Sequence, residues 1–477
     1  MRFTTLAWLG LGLSLVACTR SNKDPDNPDA AVTDPDAAPM TDAAVDLRIK
    51  DVQSDQMPPG TAVKLKGVIV TAIDSFGART GDFFVQDAAG GPFSGVKVFS
   101  APLDQVAMLA PGDVIDIEGA QKDEFALTSD TSGRKVTELK PLTGGTMKLT
   151  KRGTMTPPAP AIVDAAAISL LDKAARDAEW EKWEGVLITL INARQTGASR
   201  SFGTAVDQVE FRVSGFARVQ SVLAALPAAN AFGVCYDRVT GIGDYFFNDL
   251  VLPRKADDIA LGGAGCRPMS TSVGASQTQV SPEAADLANV FITARDDIGT
   301  NKGIWVADGL AAEASHGVYV FVGATLPATL AVGATVNVQG TVEEFDVSPA
   351  AGDAVTEITN GTVTVVAAPG TTLPSPLVIA PATLSDIGAA GEPYEGVLVQ
   401  VTTVKLTASL MNGKYELTAN DQTKIIIDDE AFVFATAPTV GTCYASVTGV
   451  MHVQLTDNIR TLNPRDLTDL VPGTGCN

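Results

Sequence analysis

Few residues in this 477-residue chain could carry chemistry. There are two histidines, His316 in "SHGVYVF" and His452 in "VMHVQL", each beside apolar, strand-like residues. A lone histidine on a strand is structural or solvated unless a second group reaches it. No GxSxG, HExxH, P-loop or dinucleotide fingerprint occurs, so nucleophile–base chemistry lacks support. Three runs of acids remain: Asp296-Asp297, Glu343-Glu344 and Asp428-Asp429-Glu430. A glycosidase needs two acids facing each other across a cleft. Neighbours on a strand point to opposite faces, so these runs read as solvated turns. The cysteines are Cys18, Cys235, Cys266, Cys443 and Cys476. None has the C-x-x-C spacing or the histidine partners of a zinc site. The expectation is a protein with no catalytic residue, no metal and no cofactor. A carboxylate- or metal-dependent hydrolase stands as an alternative.

The cysteines also mark an internal repeat. "GVCYDRVTGI" (233–242) returns as "GTCYASVTGV" (441–450), and the likeness extends upstream to "WEGVLITLINA" (183–193) and "YEGVLVQVTTV" (394–404). Downstream, Pro253-Arg254, Asp258 and Cys266 correspond to Pro464-Arg465, Asp469 and Cys476. A second matched pair precedes each of these. "GVIVTAID" (67–74) matches "NVFITARD" (289–296), "FFVQD" (83–87) matches "IWVAD" (304–308), and "LAPGDVIDIEG" (109–119) matches "LAVGATVNVQG" (330–340). The chain therefore reads A-B-A-B. The units are A1 (47–153), B1 (160–266), A2 (272–370) and B2 (375–477).

Each unit must position its side chains with strands. In A1, "VKLKGVIVTAID", "GDFFVQD" and "GVKVF" are strand-like. "APLDQVAMLAPGD" is a short helix or turn, and "DVIDIEGAQKDEF" and "RKVTELK" are strands again. Ile115 and Ile117 lie on one side of the fourth strand, and Val114, Asp116 and Glu118 on the other. Three strands, a connection and two strands fit a closed barrel of the OB type. The fold class is all-β, with four tandem OB-like small barrels. One helix is expected over 164–183, capped by Asp164, with Ile168, Leu171, Ala175 and Ala178 as its apolar stripe.

The N-terminus, "MRFTTLAWLGLGLSLVAC", has one charge and an apolar run too short to span a bilayer as a mature helix. Its end, Leu15-Val16-Ala17-Cys18, resembles a bacterial lipobox. That resemblance implies a signal peptide over 1–17 and acylation of Cys18, palmitate included. With Thr19 next, it implies sorting to the outer membrane, facing the periplasm or the surface. Residues 18–46, rich in Asp, Pro and Ala, then form a disordered acidic tether. Setting Cys18 aside leaves four cysteines, which the repeat pairs as Cys235–Cys266 and Cys443–Cys476, separated by 31 and 33 residues. An oxidising compartment would keep both as disulfides.

"GDFFVQD" followed by "PGDVIDIEG", and "EGVLV" followed by "LPRKADDI" or "NPRDLTDL", resemble the OB-fold modules attached to bacterial extracellular nucleases. The resemblance implies the fold and leaves no length for that family's catalytic domain. A net charge of −21 repels phosphate backbones. The expected function is thus a membrane-anchored envelope protein that binds or scaffolds without catalysis, with a polysaccharide or protein ligand. A nucleic-acid-binding protein is the alternative. Candidate ligand-binding aromatics are Phe83, Phe84, Trp305 and Tyr319, with Phe125 and Phe345 also in reach. Lys140, Lys148, Lys151 and Arg152 read as a solvated linker, and Arg254–Asp258 and Arg465–Asp469 as structural ion pairs.

Overall fold

The structure is a computed structural model that describes residues 47–76, 81–202, 207–227, 231–278, 283–299, 301–345, 354–385, 391–454 and 459–477. The segments 1–17 and 18–46, with Cys18, lie outside the described residues. No described helix is long and apolar enough to cross a membrane.

Four barrels follow one another. The A1 strands are Ala62–Ile73, Phe83–Gln86, Gly95–Val98, Asp113–Phe125 and Val136–Pro141, hydrogen-bonded in the order 1-2-3-5-4 with the fourth returning to the first. Third and fifth run parallel, with Lys97 opposite Glu138. The same ring forms in A2 from Ala285–Asp296, Lys302–Ala307, Gly317–Gly323, Thr335–Phe345 and Val355–Ala367. It forms again in B2 from Leu398–Ser409, Tyr415–Ala419, Lys424–Ile427, Cys443–Gln454 and Ile459–Asn463. In B1 the order recurs, and a bridge between Gln195 and Val213 joins the first and second strands. This is the OB-like topology.

A barrel this small closes only if its first strand bends enough to pair on both edges. Register shifts between Leu65 and Val68, and between Val70 and Ala72, mark that bend in A1. Each barrel also places a left-handed residue in its first strand or at a break in it: Gly67, Asn192, Asn289 and Thr403, with φ between 53° and 66°. Side chains from the fourth strand hold two of these bends. Asp116 Oδ1 accepts from the Gly67 amide at 3.0 Å, and Asn337 Oδ1 accepts from the Asn289 amide at 2.9 Å.

Each barrel has its own apolar core, and Ile115 and Ile117 are fully buried in that of A1. Cys235–Cys266 and Cys443–Cys476 are disulfide-bonded, with Cα atoms 5.9 and 5.7 Å apart. Each joins the start of a fourth strand to the segment that ends its unit.

Two expectations give way. The basic cluster is no linker: Lys148–Thr154 is a sixth strand beside the acidic Asp113–Phe125 strand. Lys151 pairs with Asp113 at 2.7 Å, Arg152 with Asp116 at 2.6 Å, and Lys140 with Asp123 at 2.6 Å. Segment 164–183 is two helices, Ala165–Ile168 and Lys173–Glu181. Asp164 caps the first as expected, and Asp172 caps the second. Ala175 and Ala178 are exposed, because the second helix turns the much larger Trp180 inward.

Candidate functional site

The four aromatics expected to contact a ligand are buried. Phe83 lies in the A1 core. Phe84 packs with Leu187, Leu223, Ile242 and Leu252 of B1. Trp305 and Tyr319 pack with Leu398 and Val450 of B2. An OB face that would be open in a lone barrel is covered here by the next barrel, so Phe84, Trp305 and Tyr319 serve A–B seams, and Phe83 serves the core of its own barrel.

The two seams are built alike. A Cβ on Gly185 would lie 2.5 Å from the Val96 amide nitrogen, and one on Gly396 would lie 2.8 Å from the Gly317 carbonyl carbon. Glu184 and Glu395, the acids before those glycines, accept from the amides of Thr137 and Thr356, each at 2.7 Å. The shared "EGVL" of the B units is thus the latch onto the preceding A barrel. The B1–A2 junction is polar instead. Arg212 pairs with Glu343, Ser214 Oγ donates to Glu283 Oε2 at 2.8 Å, and Thr341 Oγ1 donates to the Thr196 carbonyl at 3.0 Å.

The acid runs are solvated only in part, with Asp297 and Glu344 exposed. Asp296 and Asp428 are buried, and Glu343 is held by Arg212 and Thr359. His316 sits 2.8 Å from Asp308. His452 faces the A2–B2 seam, 3.7 Å from Glu430. Arg254–Asp258 and Arg465–Asp469 are formed as expected. Among the described residues, no group of three or more His, Cys, Asp or Glu side chains is placed to hold a metal.

The exposed aromatic surface lies elsewhere, at the connectors between fourth and fifth strands. In A1 that connector follows Phe125; in B1 it is the tight turn Phe246-Phe247-Asn248 between Cys235–Tyr245 and Asp249–Leu252. The two meet. Phe125, Leu127, Phe246 and Phe247 line one shallow depression, each about two-fifths to half exposed. The rings of Phe246 and Phe247 stand edge to face, centroids 5.0 Å apart. Phe247 has φ +57°, a conformation costly for a bulky residue.

Beneath this surface a polar network locks the loops together. The Tyr245 hydroxyl donates to Asp130 Oδ2 at 2.8 Å and lies 2.7 Å from Ser132 Oγ. The Arg134 guanidinium sits 4.5 Å above the Tyr245 ring and pairs with Asp249 and Glu181. Burial lifts Asp249 to about 6 even with Arg134 beside it, and burial lifts Tyr245 to about 12. Four apolar side chains held on a rigid base can stack on or pack against a ligand; the cation in the network is already committed to two carboxylates.

Of the predicted aromatics, Phe125 is at this surface. Sequence reasoning misses Phe246 and Phe247, although a signal is present: two phenylalanines occupy a hairpin turn where Gly, Asn or Asp is usual.

No protein-family model matches the chain, and no curated protein matches it. Solved structures similar to parts of it include the tetrameric p202 HIN2, at 11% identity over 38% of this chain and 91% of that one, with TM-score 0.21. A replication protein A heterotrimer bound to ssDNA is similar at 9% identity over 65% and 95%, with TM-score 0.20. The Ifi202 HINa domain in complex with 20bp dsDNA is similar at 9% identity over 64% and 96%, with TM-score 0.16. Likeness at these scores is too distant to assign a function.

Proposed function

We propose that this chain is a cell-envelope lipoprotein, anchored in the outer membrane by a lipid on Cys18, that binds a polysaccharide without catalysis. One observation carries the ligand reading: Phe125, Leu127, Phe246 and Phe247 are held out to solvent by a locked pair of loops. In OB-type barrels the connector between fourth and fifth strands is a place where oligosaccharides and oligonucleotides bind. Sugar rings offer apolar C–H faces for stacking on phenyl groups. Their hydroxyls suit the acceptors at the rim, among them Asp130. A nucleic acid is disfavoured, because the net charge is −21 and Arg134 is committed to Asp249 and Glu181. A protein ligand is the second reading, favoured by Leu127, an aliphatic group in the same depression.

The test is a titration of the purified full chain, in detergent, against a panel of cell-wall glycans and single-stranded DNA at low salt. Glycan binding that Phe246→Ala weakens supports the reading. DNA binding that falls steeply with salt, or glycan binding indifferent to Phe246→Ala, overturns it. Separately, Cys18→Ala should move the chain from the membrane to the soluble fraction.

A further inference from the structure

The A2–B2 seam encloses titratable groups from every element packed there. Asp296 ends the first A2 strand, and Tyr319 OH donates to its Oδ2 at 2.9 Å. Glu357 lies opposite Tyr319 on the parallel fifth strand. From B2 come Asp428, Asp429 and Glu430, with Lys414 nearby, and His452 on the fourth strand. Arg460, on the strand beside His452, is turned to Glu392 at 3.5 Å. The His452 ring packs against Trp305 and Tyr319, with centroids 5.6 and 5.7 Å away. Its Nε2 is 3.7 Å from Glu430 Oε1, whose other oxygen accepts from Gln454 at 3.3 Å. Lys97 stands at the place of Tyr319 in the first A–B pair, 3.5 Å from Asp82. The second pair thus puts a phenol where the first puts a cation among acids.

We propose that the A2–B2 seam is an acid-tightened latch: the barrels pack most firmly when Asp296 and Glu430 carry protons, and the seam loosens as they ionise.

Burial lifts Asp296 to about 6, and burial with Asp428 alongside lifts Glu430 to about 7. In an opened seam both return toward 3.8 and 4.5. Such acids hold the closed state fully below their open-state values and lose that contribution as pH rises through 6 and 7. His452 runs the other way. Burial lowers it to about 4, so its contribution is present above 6.5 and lost as pH falls. Two acids against one base leave net tightening between pH 8 and pH 5.

The experiment is amide hydrogen exchange on the full chain at pH 5 and pH 8, corrected for intrinsic rates. It is read on Lys302–Ala307 and Cys443–Gln454. Roughly thirtyfold faster exchange at pH 8 is expected, because between pH 8 and pH 5 the two acids gain about three pH units of closing energy and the one base loses about one and a half. Glu430→Gln should remove the excess at pH 8, because Asp296 by itself no longer outweighs His452, and the double variant D296N/E430Q should shift the balance further toward faster exchange at pH 5. His452→Gln should enlarge the excess at pH 8. Equal exchange at both pH values in the native chain, or an undiminished difference in Glu430→Gln, would overturn the latch.

Discussion

Trp305 of the third barrel meets His452 of the fourth edge-on, ring centroids 5.6 Å apart. In the first A–B pair the corresponding residues are Phe84 and Asp244. Both pairs therefore carry one large ring and one titratable group at these matched positions. Trp305 is fully buried and Phe84 is 2% exposed, so truncation leaves a cavity between barrels. Trp305→Ala and Phe84→Ala should each cost about 3–5 kcal/mol in urea unfolding. Ligand affinity of the folded fraction should stay unchanged.

Gly185 and Gly396 combine positive φ, +70° and +67°, with backbone of the neighbouring barrel where a Cβ would stand. Gly185→Ala and Gly396→Ala should each lower stability by about 1–3 kcal/mol, the usual cost of overpacking, and lower the thermal midpoint. An alanine at Gly60, whose Cβ would meet nothing within 4 Å, serves as the control for backbone strain alone.

Phe247→Gly separates binding from stability. Relief of the left-handed strain, about 1–2 kcal/mol, offsets loss of the Phe246 contact, so the thermal midpoint should barely move. Glycan affinity should drop about tenfold, a loss near 1.4 kcal/mol. A lowered midpoint with unchanged affinity would count against the loop surface as the binding site.

Glu357 is pushed up to about 7, by burial first and then by Glu343, with Arg212 opposing. Its stabilising share is present below its ordinary 4.5 and lost as pH rises through 7. Glu357→Gln should therefore raise stability at pH 8 by about 2 kcal/mol and change little at pH 4. Urea midpoints at the two pH values would show it.

Each disulfide closes a loop of about thirty residues, for which chain entropy gives about 3–4 kcal/mol. Reduction with dithiothreitol, or the paired change of Cys443 and Cys476 to Ser, should lower the urea midpoint accordingly. The unit whose cysteines are intact should keep its protection from exchange.

The barrel is legible in the sequence because its signals are local. Alternation puts Ile115 and Ile117 inside, and the repeat alone pairs Cys235 with Cys266. What the sequence hides is non-local. Whether Phe84 or Trp305 faces solvent depends on the barrel that follows, which strand alternation does not encode. The run Lys148–Arg152 resembles a charged linker because its acidic partners, Asp113 and Asp116, are more than thirty residues earlier. Asp428 and Glu430 read as solvated until A2 covers them. The second "EGVL" marks the repeat, while its glutamate's hydrogen bond to the previous barrel becomes visible only with the amide of Thr356 in place.

The seam glycines come in two matched sets, Gly95 with Gly185 and Gly317 with Gly396, whereas the Arg212–Glu343 junction occurs once. Duplication of an A–B pair copies the first kind of contact ready-made but cannot supply the second, which has no counterpart inside a single pair. The junction therefore rests on contacts of its own, outside the repeat. Drift at a seam is constrained on both sides at once, since a side chain gained by either glycine meets main chain. A change at Arg212 or Glu343 alters how successive pairs are set against each other without unmaking either. Lineages of such chains would diverge first in the angle and number of their two-barrel units, and last in the units themselves.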